Sequence, residues 1–335
     1  MTIQQIVTPD RIEPELQRIW EELSKENKMR ASLFNLIIYH RYSERTDYFR
    51  NIASKLIQQY PCRVLFISED LKGDYLKTAV SIAMPKGKES TFACDQIDIG
   101  VAGSGVEQVP FLLLAHLLPD LPITLLWTED PCKPHPLFKP LCKMSHRIIF
   151  DSESADDLSC FTKRVLDLAN RGFEVADLNW ARTEGWRDLL AFLFESPEHI
   201  NALSRLSHIH LAYNNRSTEF FCHLKVQSTY LIAWLKARLQ WKKNLPEIKI
   251  QEVTWDKLGP GTIVAVHLET TQKESFDCCR IQERYHSVLI QTSTAEKCDL
   301  PYQFLLGQAA TGQSLIQEIC KKGTSIHFLQ TLQAL

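Results

Sequence analysis

Cys132, His135, Cys142 and His146 are spaced C-x2-H-x6-C-x3-H within one proline-rich loop. Each is a side-chain type that binds zinc, and the loop is long enough to fold around an ion. The spacing matches no standard finger, and Pro131, Pro134 and Pro136 restrict the loop on their own, so no metal is assigned. A second candidate is Gly100-Val101-Ala102-Gly103-Ser104-Gly105, between a predicted strand and a predicted helix. Backbone amides and a helix dipole can hold a phosphate there. The order is G-x-x-G-x-G, not the dinucleotide fingerprint, so a tight turn is the preferred reading. A phosphometabolite-binding sensor or enzyme built on these glycines is the alternative. Asp95, Asp98, Asp120 and Asp151 fall at predicted strand ends, where an α/β enzyme places catalytic groups. Turn and cap roles account for them without chemistry and are preferred. No serine sits in a nucleophile elbow and no HExxH is present. No catalytic residue and no cofactor is therefore assigned.

The other residues that stand out lie near the middle of the chain. Trp186, Leu189, Leu190, Leu193 and Phe194 recur at helical spacing, which predicts an amphipathic helix. Thr183 is placed to cap it, and Ser196-Pro197 stops it. Its apolar face belongs to a core. Trp180, Arg182, Trp186 and Arg187 are also of the types that anchor interfaces, which makes them the candidate partner contacts.

The rest of the chain must position these groups. With 335 residues it is long enough for two domains, and 44% hydrophobic with 23% charged residues fits a globular protein. The net charge of -2 offers no basic footprint for nucleic acid. The most apolar window, 109–127, is broken by Pro110, His116, Pro119, Asp120 and Pro122, which argues against a membrane span. Met1 to Asp10 is polar and lacks the apolar core of a signal peptide, so a cytoplasmic location is expected. The ten cysteines follow no framework spacing and are expected to be reduced.

Strands are predicted at 33–39, 62–67, 123–127 and 147–150, as short apolar runs of buried type. Those at 75–84 and 97–101 alternate and read as half-exposed. Helices are predicted from Ile12, from Ser43 to before Pro61, over 106–118, and after Ser154 as its cap. The first two buried strands and the helix between them form a βαβ unit with parallel strands. Beyond the central helix come a strand at 208–213, a long helix over about 216–239, and strands at 248–253, 262–268, 276–282 and 288–292. Their short polar turns suggest an antiparallel meander. Two helices, 315–320 and 326–332, close the chain. The expected fold is α/β: an N-terminal mixed-sheet α/β domain (1–172), then an α+β domain with a mainly antiparallel sheet (173–335).

Several stretches in order resemble one family. Asp177-Leu178-Asn179-Trp180-Ala181-Arg182, then Trp186-Arg187-Asp188-Leu189-Leu190-Ala191 and Phe194, is similar to the DLxWxR…WRxLLAxxF signature of the OpcA family. Leu118-Pro119-Asp120-Leu121-Pro122 with Trp127 resembles its PDLPxxxWW region, with Thr128 where a second Trp is common. Asp95-Gln96-Ile97 with Val101-Ala102-Gly103 resembles its EQI…G segment, with Asp95 in place of Glu. Asn35 to Ile38 resembles its NLVV strand, Ile149 to Ser152 a VDS strand end, and Leu231 to Leu235 with Arg238, Leu239 and Trp241 its long helix. The likeness covers about residues 33 to 241. It implies a non-catalytic assembly factor or allosteric activator of glucose-6-phosphate dehydrogenase, acting in the oxidative pentose phosphate pathway with that enzyme as partner.

Overall fold

The computed structural model describes residues 4–25, 28–43, 45–84, 92–216, 223–241, 245–307 and 313–335. They form two compact units: Met1–Leu178 with Ala310–Thr324, and Asn179–Ala309 with Ser325–Leu335.

The first unit opens with β1 (Gln5–Val7), α1 (Ile12–Ser24) and β2 (Met29–Arg30). Then come β3 (Asn35–Arg41), α2 (Thr46–Ile57) and β4 (Arg63–Glu69), the predicted parallel βαβ unit. β5 (Tyr75–Ala83) and β6 (Phe92–Ala102) form an antiparallel pair. After α3 (Val109–His116) come β7 (Ile123–Trp127), α4 (Phe138–Met144), β8 (Arg147–Phe150), α5 (Leu158–Asn170) and β9 (Glu174–Asp177). The sheet order is β1-β5-β6-β4-β3-β7-β8-β9, with β2 beside β6. From β6 to β9 every neighbouring pair is parallel, while β1 and β5 run the other way. The sheet is mixed, as the fold-class expectation has it.

Four local readings are corrected. β5 and β6 are not half-exposed: α1 packs on β5, and Ala79 and Ser81, between its buried Thr78, Val80 and Ile82, are buried too, as is most of β6. The segment before α3 is a 3₁₀ turn, Gly103–Gln108, so the helix starts only at Val109. Asp157, not Ser154, caps α5, its carboxylate accepting from the Ser159 and Cys160 amides. Finally, Cys132 is disulfide-bonded to Cys160, against the expectation of reduced thiols. The β7–α4 loop brings Cys132 to the first turn of α5, a proximity that spacing along the chain does not reveal.

The second unit begins in α6 (Leu178–Arg182) and continues through α7 (Glu184–Leu193), α8 (Pro197–Leu203), β10 (Leu206–Asn214) and α9 (Val226–Arg238). Ser196 caps α8, accepting from the His199 amide. Thr183 does not cap α7 with its side chain; its hydroxyl donates to the Trp180 carbonyl instead. The earlier part of the predicted long helix, 217–222, lies outside the described residues. β11 (Glu247–Val253), β12 (Ile263–Thr270), β13 (Ser275–Ile281), β14 (Arg284–Ser293) and β15 (Tyr302–Leu305) complete a sheet ordered β11-β10-β12-β13-β14-β15. It is antiparallel except for β11, which pairs parallel with β10. Leu189, Leu190 and Leu193 of α7 pack with Ile209, Val266, Phe276 and Val288 in its core.

The chain then returns to the first unit as α10 (Gln313–Cys320), which packs Leu315 and Ile316 among α2 side chains. Buried Arg147 of β8 holds it, donating to Glu318 (3.0 Å) and the Gly323 carbonyl (2.7 Å). The last helix, α11 (Ile326–Ala334), rejoins the second unit against α9.

Candidate functional site

In chain order the parallel strands β3, β4 and β6 step outward one way, and β7, β8 and β9 step the other. The order reverses between β3 and β7. In open α/β sheets ligands bind at the carboxyl ends of the strands beside such a reversal. The side chains delivered there are the candidate site.

Tyr39 of β3 and Trp127 of β7 are register neighbours, and their rings stack with centroids 4.2 Å apart. His135, from the loop after β7, tilts over Tyr39 at 4.9 Å and meets Trp127 edge-on at 5.4 Å. Glu69 ends β4 and accepts the Tyr39 hydroxyl hydrogen bond. The Leu137 amide donates to His135 Nδ1 (3.2 Å), so the ring proton sits on Nε2 and points to Glu69 Oε2 at 2.7 Å. Burial raises the Glu69 pKa, but hydrogen bonds from His135 and Tyr39 outweigh it and hold the carboxyl below its ordinary value. Burial and the adjacent carboxylate push the Tyr39 phenol up. The result is a closed set: an ionised acceptor, Glu69, with two donors, Tyr39 and His135. Trp127 Nε1 is buried with no hydrogen-bond partner among the described residues. The turn between β3 and α2 (Arg41 to Thr46) contains no glycine, so it lacks the backbone that a dinucleotide pyrophosphate approaches. One residue along, His40 donates from Nδ1 to the Arg41 carbonyl (2.9 Å) and accepts from Ser68 (2.8 Å). Burial lowers its pKa to about 4.

The glycine loop is accounted for by packing. Asp74 accepts from both the amide (2.8 Å) and hydroxyl (2.6 Å) of Ser104, so a carboxylate of this chain takes an anion position there. Gly103 has φ +57°, and a Cβ on Gly105 would stand 2.3 Å from the Tyr75 carbonyl.

The four aspartates are not brought together. Asp95 is a buried hub at the other end of the sheet, accepting from Trp20 (2.7 Å), Arg30 (2.6 Å) and Arg63 (2.6 Å). Asp98 pairs with Arg50, Asp151 with Arg45, and Asp120 sits in a turn at φ +60°. Nor do Cys132, His135, Cys142 and His146 converge. Cys132 is in the disulfide, His135 serves Glu69, Cys142 is buried in α4, and His146 Nδ1 accepts from the Ile123 amide (3.0 Å). No group of three or more metal-capable side chains is placed to hold an ion among the described residues.

The four candidate partner contacts differ in how far they are buried. Trp180, Trp186 and Arg187 are buried. The Arg187 guanidinium lies 3.4 Å from the Trp180 ring centroid and donates to the Trp180 carbonyl at 2.6 Å. Trp186 packs in the core of the second unit with the Arg280 guanidinium 5.5 Å above its ring. The stacking capacity that makes Trp and Arg good anchors is consumed inside the chain. Arg182 is half-buried, donating to Asn179 at 2.8 Å. The site missed from sequence is the Tyr39–Glu69–His135–Trp127 set, whose members lie far apart along the chain. Its one signal was polar and aromatic residues closing otherwise aliphatic strands.

Two family models match: the glucose-6-phosphate dehydrogenase subunit N-terminal domain over residues 53–166, and its C-terminal domain over 173–324. A relative from Nostoc punctiforme, named "Putative OxPP cycle protein OpcA", is 27% identical over 195 residues, covering 57% of this chain and 40% of the relative. One of the same name from Synechococcus elongatus is 26% identical over 258 residues, covering 69% and 56%. The chain thus spans about half the length of the curated relatives it matches. Among solved structures, a dehydrogenase from Chromobacterium violaceum is 11% identical with TM-score 0.48, covering 91% of this chain and 93% of that one. A probable oxidoreductase, yhhX, is 11% identical with TM-score 0.47, covering 90% and 94%. Among the described residues no helix is long and apolar enough to cross a membrane.

Proposed function

The chain belongs to the OpcA family of glucose-6-phosphate dehydrogenase assembly proteins, and on that premise we propose that it is a non-catalytic assembly factor or allosteric activator of that dehydrogenase. The observation that carries the reading is the filled strand-order reversal. Where a dinucleotide enzyme keeps a crevice and a glycine turn, this chain packs Tyr39, Trp127 and His135 against one another. Such a centre stiffens a scaffold, and the scaffold's work is then done by its surface.

An activator of this kind acts by binding one state of its target more tightly than the others. A hundredfold preference for the active oligomer supplies about 2.7 kcal/mol of bias. Linkage is reciprocal, so a substrate that favours the same oligomer tightens this chain's own binding. Of the sequence candidates, Arg182 retains the exposure for a direct contact, while Trp180, Trp186 and Arg187 contribute by holding α6 and α7 in place.

The test is a dehydrogenase assay with and without this chain, alongside size-exclusion chromatography of the mixture. Co-elution with a changed maximal rate or substrate dependence is the expected result. Separate elution with identical kinetics overturns the proposal.

A further inference from the structure

The sheet of the second unit turns one face to its helices and one away from them. Ile209 and Leu211 of β10, Val266 and Leu268 of β12, and Phe276 and Cys278 of β13 pack in the core with α7. Side chains alternate along a strand, so His210, His267 and Asp277, each between two of these residues, share the opposite face. Register sets them in one row across the strands: His210 opposes His267, and His267 opposes Asp277. Asp277 accepts a hydrogen bond from His267 Nδ1 at 2.5 Å. The neutral ring therefore carries its proton on Nδ1 and its lone pair on Nε2. The two nitrogens of an imidazole point in nearly opposed directions. β12 lies between β13 and β10, so with Nδ1 committed to β13 the Nε2 lone pair is directed back over β10. His210 stands opposite on that strand, and its Nε2 is buried with no hydrogen-bond partner among the described residues. A buried polar atom in that state calls for an occupant, a water or an ion.

We infer that this row binds a divalent transition-metal ion of the zinc, nickel or copper kind, held by the imidazoles of His210 and His267, with Asp277 as a positioning residue behind His267. Opposed residues have Cβ atoms about 4.5–5.5 Å apart, which lets two imidazoles reach one ion at about 2.0–2.1 Å. A carboxylate on the far nitrogen of a ligating histidine fixes the tautomer and raises the ring's basicity, which is the part Asp277 plays. Imidazole selects these metals over magnesium and calcium, which take oxygen ligands. The neighbouring row adds negative charge. His208 opposes both Glu247 and Glu269, and its ring nitrogens lie 3.5 Å and 4.0 Å from their carboxylates. Lys249 opposes His210 from β11; it is exposed, and its long stem lets the ammonium turn to water. Two protein ligands leave the remaining positions to water, so the site is open, unlike a closed structural zinc centre.

The experiment is isothermal titration of zinc chloride into the full chain, first stripped of metal with a chelator. The expected result is saturable binding of one ion per chain, lost with His210→Gln or His267→Gln and weakened about tenfold with Asp277→Asn. The three side chains lie away from the core, so the metal-free variants keep the wild-type melting temperature. Zinc raises that temperature for the wild type and not for either histidine variant. Exposed Cys279, Cys298 and Cys320 are the competing zinc ligands. Replacing all three by Ser leaves the titration unchanged, and in that background the paramagnetic resonance spectrum of bound Cu2+ shows coupling to two imidazole nitrogens. No saturable uptake by the wild type overturns the inference, as does binding that persists in both histidine variants or disappears with the cysteines. No dehydrogenase enters the experiment, so this reading and the assembly reading can fail separately.

Discussion

The two ends of the first sheet solve the same problem by different means. Both bury polar side chains in a setting that penalises them. At the amino ends the groups are charged: Asp95 accepts from Arg30, Arg63 and Trp20, while Arg63 also donates to Glu13 (2.7 Å) and the His116 carbonyl (2.7 Å). At the carboxyl ends a single carboxylate, Glu69, is shared by two donors, Tyr39 and His135, under a stacked aromatic pair. The first arrangement is stable only while every partner is present, because removing one leaves a buried charge. The second degrades in smaller steps, because losing the Tyr39 hydroxyl removes no charge and leaves Glu69 its hydrogen bond from His135.

The sharpest test of that contrast is Arg63→Met. It strands the fully buried Asp95 and is expected to cost about 3–5 kcal/mol in chemical denaturation. A loss under 1 kcal/mol would mean that Arg30 alone satisfies Asp95, and the contrast between the ends would collapse. At the other end, Trp127→Ala removes packing and is expected to cost about 3–5 kcal/mol. Tyr39→Phe keeps the ring and removes only its hydrogen bond to Glu69, for about 1–2 kcal/mol. If Tyr39→Phe proved as costly as Trp127→Ala, the hydrogen bond rather than the stack would be holding the crevice shut.

Acid separates the ends along another axis. His40 has a folded pKa of about 4, below the ordinary value of 6.5. The unfolded chain binds that proton first, so its contribution is complete above pH 6.5 and is lost as pH falls to 4. The expected loss is about 2–3 kcal/mol over that window, read as melting temperature against pH. Glu13 at the amino end is pushed up by burial but held lower, to about 2, by His116 and Arg63. Its contribution is present above pH 4.5 and lost towards pH 2, and its half-exposed side chain makes the effect smaller. His40→Gln should flatten the upper window and leave the lower one; a variant that flattens neither assigns the upper loss to another group.

How much of this was legible depended on whether the information was local. Leu36 to Ile38 and Val64 to Ile67 announce buried strands because an aliphatic run needs cover on both faces. β5 alternates yet is buried on both sides, because Ala79 and Ser81 on its second face are small and covered, while Thr78 on the first donates to the Val7 carbonyl. Ser154 and Asp157 are both capping types, and only backbone geometry decides between them. The crevice was invisible for a stronger reason. Placing Tyr39 beside Trp127 requires the strand order, which hydrophobic periodicity does not contain. His135 and Cys132 looked like a metal pair because imidazole and thiol serve metals, hydrogen bonds and disulfides alike. The central stretch was legible as a helix but not as to which Trp and Arg groups find partners within the fold.

That last ambiguity carries the smallest effect and the most direct bearing on function. Arg187 and Arg182 sit on consecutive helices, yet one is stacked and buried while the other is half-buried. Arg187→Ala exposes the lost pairing as instability, since Trp180 loses its stacked cation, at about 1–2 kcal/mol. Arg182→Ala removes a hydrogen bond to Asn179 from a half-buried side chain and should cost less than Arg187→Ala. If Arg182 meets the dehydrogenase, its variant weakens co-elution and activation while the chain stays folded. If activation is untouched, the docking surface excludes this corner and must be sought on faces whose side chains the fold leaves unspent.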